Sequence, residues 1–71
     1  MNIATYIELA DGLMTAYDNL EEASEALAEE QTILTNPNHK TTLERILTRI
    51  DSMLAEIMDI TTELTTERNN I

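Results

Sequence analysis

Six carboxylates in the first half of the chain, Glu8, Asp11, Asp18, Glu22, Glu25 and Glu29, recur at steps of three, four or seven residues. In a helix that spacing gathers them on one stripe. Glu21 and Glu30 flank it, and neither lysine nor arginine occurs before Lys40. Carboxylates at this density have three chemical uses: they can ligate a metal, exchange protons with a substrate, or hold a basic surface.

The first two uses lack the partners they need. A carboxylate-bridged dimetal site in a helical bundle takes inward glutamates with a Glu-x-x-His motif. The one histidine, His39, has Asn36 three residues before it. No stretch has the pattern of an EF-hand calcium loop. His39 also lacks a positioned partner for general acid–base work. Cysteine is absent, which removes disulfides and thiolate ligands. Tyr6, Tyr17, Met14 and Met53 fall at or beside the apolar positions of a helical repeat and read as packing residues. The sequence therefore predicts a protein that is not an enzyme and uses no metal or cofactor.

The third use fits the charge. Fourteen acids against four bases give −10, which opposes binding to nucleic-acid phosphates or anionic membranes and favours a basic protein partner. Residues 1–36 carry −8 of that charge and residues 37–71 carry −2. Acids three or four apart repeat every ~5–6 Å along a helix axis, close to the spacing at which a DNA-binding groove meets phosphates along a strand. In this the stripe is similar to acidic DNA mimics, a class that includes phage-borne inhibitors of restriction and CRISPR effectors. The similarity implies an inhibitor that occupies the nucleic-acid site of a basic effector. The alternative is an assembly adaptor or small chaperone that docks a partner helix through apolar faces, its charge serving solubility.

The elements that must position the stripe are legible in the apolar pattern. Hydrophobic content of 42% with sustained periodicity predicts folded helices. From Ile3 to Leu34 the residues form heptads, with Ile3, Ala10, Tyr17, Ser24 and Gln31 at a and Tyr6, Leu13, Leu20, Leu27 and Leu34 at d. Ile7 and Met14 at e, with Leu9 and Ala16 at g, widen the face in the first half. Gly12 falls at an outward position where a continuous helix tolerates it, at ~1 kcal/mol relative to alanine. Asn2 is suited to cap this helix.

Residues 35–40 interrupt the pattern, since proline at 37 disfavours helix at Asn36. Thr41-Thr42-Leu43-Glu44 matches a capping box, and Pro37 is a second candidate for the first residue of the next helix. That helix, over about 41–68, shows Leu43, Ile50, Ile57, Leu64 and Ile71 at one heptad position and Ile46, Met53 and Ile60 at the other. Leu47 and Leu54 widen its face near the loop, and Met58 with Ala55 and Leu54 leaves an apolar edge outside.

The expected architecture is a single all-α domain over residues 1–71: an antiparallel two-helix hairpin that dimerises into a four-helix bundle or coiled coil. Residues whose numbers sum to about 74 should lie side by side, pairing Leu27 with Leu47 and Leu20 with Leu54. Arg45 and Arg49 then approach Glu29 and Glu25 as interhelix ion pairs. In the dimer, Ile7 and Met14 of one chain meet Leu47 and Leu54 of the other, and Met58 is a further partner contact. No run approaches the ~18 apolar residues of a membrane span, and a basic leader is missing, so the chain is expected in the cytoplasm.

Overall fold

In the computed structural model, which describes residues 2–70, the chain forms two long α-helices, α1 (Ile3–Ile33) and α2 (Pro37–Asn69). Asn2 opens α1: its Oδ1 accepts from the Thr5 backbone N–H at 2.9 Å and from the Thr5 hydroxyl at 3.0 Å, satisfying donors that have no partner inside the helix. The helix runs through Gly12 without a left-handed residue. A methyl group built on Gly12 would meet nothing within 4 Å. Gly12→Ala therefore carries only the gain in helix propensity. We expect stability to rise by about 0.5–1 kcal/mol, read as a higher urea midpoint with an unchanged denaturant slope.

The connection is shorter than the 35–40 segment suggested by the sequence. Leu34 is extended, and its N–H closes α1 on the Glu30 carbonyl at 3.1 Å. Asn36, also extended before the proline, caps α2 by accepting from the Asn38 N–H at 2.9 Å, with Pro37 in the first turn. The Thr41-Thr42-Leu43-Glu44 box is thus not the start of α2. Thr41 and Thr42 instead donate their hydroxyls to the carbonyls of Pro37 and Asn38, one turn back. The same bond is made by Thr48, Thr61, Thr62, Thr65 and Thr66, so every threonine of α2 satisfies its hydroxyl within the helix. Helical structure continues through the threonine-rich end to Asn69, with Arg68 favourably placed in the last turn.

The helices pack antiparallel, and two hydrogen bonds between side chains fix their register. The Tyr6 hydroxyl donates to Glu67 Oε2 at 3.3 Å, and Gln31 Nε2 donates to Glu44 Oε1 at 3.3 Å. These pairs sum to 73 and 75, bracketing the expected 74. Apart from Thr5 beside the cap, the residues that α1 withdraws from solvent are Tyr6, Ala10, Leu13, Tyr17, Leu20, Ser24, Leu27 and Gln31, continuing to Leu34. This is the predicted a/d seam with one exception, since Ile3 is 55% exposed.

On α2 the seam differs from the expected one. Leu43, Ile50, Ile57 and Leu64 occupy one row as predicted, while the position proposed for Ile71 lies outside the described residues. The second row is Leu47, Leu54 and Thr61, not Ile46, Met53 and Ile60, which are 38%, 43% and 46% exposed. The three-residue loop sets the rotation of α2 about its own axis, and that rotation presents the 47/54/61 row to α1. Thr61 is tolerated there because its hydroxyl already donates to the Ile57 carbonyl at 2.8 Å.

The core is thin. Only Tyr6, Leu43 and Ile50 are buried among the described residues, at 8%, 7% and 5% exposure. In the 74 register Ile50 lies opposite Ser24 and Leu43 opposite Gln31, so the large side chains of α2 meet short or polar ones on α1. The Cα trace spans 53 × 14 × 12 Å with a radius of gyration of 16.3 Å, against about 11 Å for a compact chain of this length.

Candidate functional site

The side chains of Glu8, Asp11, Asp18, Glu22, Glu25 and Glu29 all project from α1 away from the seam and are exposed. They occupy the two outward heptad positions on the e side, Glu8, Glu22 and Glu29 at one and Asp11, Asp18 and Glu25 at the other, so the stripe follows the outer edge of the rod. From Glu8 to Glu29 it covers about 31 Å at 1.5 Å per residue. Among the described residues, no side-chain hydrogen bond engages any of the six carboxylates.

The arginines do not neutralise them. Arg45 and Arg49 lie at outward positions of α2 and are exposed, and no hydrogen bond joins them to Glu29 or Glu25. The expected ion pairs therefore do not form, because the observed rotation of α2 turns both guanidinium groups away from α1. The acids that do cross between helices belong to α2: Glu44 accepts from Gln31 and Glu67 from Tyr6.

The Tyr6 hydroxyl is electrostatically perturbed. Burial against α2 pushes its ionisation above the ordinary phenol value, and the Glu67 carboxylate adds to this by its charge and by accepting the hydrogen bond. Below pH ~10 the phenol is neutral in both folded and unfolded chains. As pH rises further the unfolded chain ionises first, so stability falls until folded Tyr6 also ionises. Tyr6→Phe should flatten that decline in urea midpoints as pH rises through and above about 10; a slope identical to the parent's would show that Tyr6 is not its source.

The apolar candidates separate into two groups. Ile7, Met14 and Met58 are exposed, and the register brings Met14 and Met58 to the same side of the rod. Leu47 and Leu54 are half-buried on the seam, so they are not the free face that the dimer expectation required. The free apolar row of α2 is Ile46, Met53 and Ile60. Its signal was present in the adjacent pairs Ile46-Leu47 and Met53-Leu54, of which a hairpin can bury only one member.

His39 is exposed in the first turn of α2. Among the described residues there is no pocket, no group of three or more histidine or acidic side chains arranged around a possible ion, and no helix long and apolar enough to cross a membrane. Fold and surface together define an all-α helical hairpin with one acidic edge and one apolar flank. No family model, curated protein or solved structure matches the chain.

Proposed function

We propose that the protein is a non-enzymatic inhibitor that binds a basic, nucleic-acid-binding protein through the acidic edge of α1. The observation that carries this reading is the set of six outward carboxylates that hold no side-chain hydrogen bond among the described residues, on a helix of eight acids and no bases. A surface of one sign steers an oppositely charged partner and competes with the polyanion that partner normally holds. Antagonists of restriction or CRISPR effectors borne by phages are the class this describes. Such a target places the protein in the cytoplasm, without direct contact to nucleic acid or membrane. The hairpin acts as a homodimer, since three buried side chains make a small core for two helices of this length.

The exposed apolar flank favours a second reading, an adaptor or small chaperone that grips an amphipathic helix. Capture of partners from a lysate across a salt series separates the two. At about 1 M salt the Debye length falls to ~3 Å, so a basic nucleic-acid-binding partner held by the acidic edge is lost as salt rises. A partner retained at high salt overturns the inhibitor reading in favour of apolar docking.

A further inference from the structure

We infer that two copies of the chain pack through the flank formed by Leu9, Ala16 and Ala23 of α1 with Ile46, Met53 and Ile60 of α2, about a two-fold axis parallel to the helices, with both loops at one end. The inference deepens the dimer reading above and depends on it. In an antiparallel pair the g rows of the two helices share one side. The hydrogen bond from Tyr6, at d, to Glu67, at g of α2, fixes that side here. All six residues are exposed. Seven of the eight acids of α1 lie on its other flank or outer edge, and only Glu30 shares this one.

Three observations point to a second copy as the occupant. The first is area. A compact protein of 8.0 kDa exposes about 4,450 Å², whereas this chain exposes 5270 Å². The excess of roughly 800 Å² is what each partner contributes to a standard stable interface.

The second is shape. Across the flank α1 presents two alanines in its middle, and α2 presents isoleucine and methionine. With the axis parallel to the helices, the large row of each copy lies over the small row of the other. With the axis perpendicular, large meets large and alanine meets alanine.

The third is charge. The parallel axis gives every α1 only α2 helices as neighbours and sets the two acidic α1 helices on the bundle diagonal. That diagonal is about 12–14 Å, against about 8–10 Å for adjacent helices, and screening by salt grows over that difference. The acidic edges then face outward on opposite sides of the dimer.

Sedimentation and a spin-label distance test this arrangement. The parent should sediment at twice the 8.0 kDa chain mass. Met53→Glu buries an unpaired charge twice in the symmetric interface and should weaken self-association by ~10²-fold or more. Met58→Glu, on the opposite flank, should leave it unchanged. Because the chain has no cysteine, Asn38→Cys carries a single label on an otherwise native dimer. Loops at one end give a distance between protomers below about 35 Å, from the bundle diagonal plus two label arms; loops at opposite ends give roughly the 53 Å length of the rod. A parent of single-chain mass overturns the dimer and this arrangement together. A dimer that survives Met53→Glu, or one lost equally with Met58→Glu, overturns the flank alone. The long label distance overturns the orientation alone, and it is read without perturbing the interface.

Discussion

Ile50→Ala should remove half or more of the protein's stability at room temperature. Ile50 is the most buried residue described, at 5% exposure, and sits midway along α2 opposite Ser24, between the seam pairs Leu27–Leu47 and Leu20–Leu54. Truncating a buried isoleucine to alanine removes its transfer free energy and leaves a cavity that neighbours refill only in part, at about 2–5 kcal/mol. A chain of this length has about 4–10 kcal/mol of total stability at typical per-residue values, and a core of three side chains places it at the low end. One substitution thus removes half or more of what holds the hairpin together. A urea midpoint lowered by half or more is the expected observation. Ile33→Ala is the matched control. Ile33 is 70% exposed, so its truncation should move stability by no more than about 0.5 kcal/mol. Equal effects at the two positions would mean that the seam through Ile50 is not the core.

How much of this fold could be read beforehand depended on whether one helix or two decided a feature. The seam of α1 was legible from Tyr6 to Leu34 because its apolar residues alternate by four and three with few competitors. The antiparallel register followed from the short loop, and the Tyr6–Glu67 and Gln31–Glu44 hydrogen bonds fall on either side of the expected value. On α2 the choice between Ile46, Met53, Ile60 and Leu47, Leu54, Thr61 was not legible. Hydrophobicity alone favours the row containing Ile60 over the row containing Thr61. The deciding quantity is the rotation of α2, set by where Asn36 and Pro37 start it. Thr41 and Thr42 offered a rival cap whose hydroxyls turn back to the helix carbonyls instead.

That same rotation governs what was legible of the surface. The six acids of the stripe follow from the period of α1 alone, and the structure leaves all of them exposed. The arginines required knowledge of both helices. Placed by register only, Arg45 and Arg49 reach Glu29 and Glu25; placed by register and rotation, they point to solvent. Leu47 and Leu54 keep the places opposite Leu27 and Leu20 that the register gave them but are not free for the outer contact also proposed for them, and Ile46, Met53 and Ile60 take the free flank.

The absence of neutralising arginines sharpens the test of the acidic edge. Replacing Glu22, Glu25 and Glu29 together by glutamine removes three charges over about 10 Å of helix and changes almost no volume. None of the three carboxylates holds a hydrogen bond within the described chain, and glutamine is as good a helix former as glutamate, so helicity and the urea midpoint should stay within about 0.5 kcal/mol of the parent. Binding to a basic partner should behave otherwise. Exposed charge pairs contribute up to about 1 kcal/mol each, and three acting on one contiguous basic groove give about 3 kcal/mol, a loss of ~10²-fold in affinity. Much of that loss should fall on the association rate, since the edge acts at a distance before contact, and the variant's affinity should depend less steeply on salt than the parent's. Glu56, Asp59 and Glu63 of α2 supply the control, because their replacement by glutamine removes the same net charge from the other helix. If both triples weaken binding equally, the partner responds to net charge and the edge of α1 has no special role. If only the α1 triple acts, the recognition surface is the stripe from Glu8 to Glu29, and its outward, exposed placement is the property that leaves it free to bind.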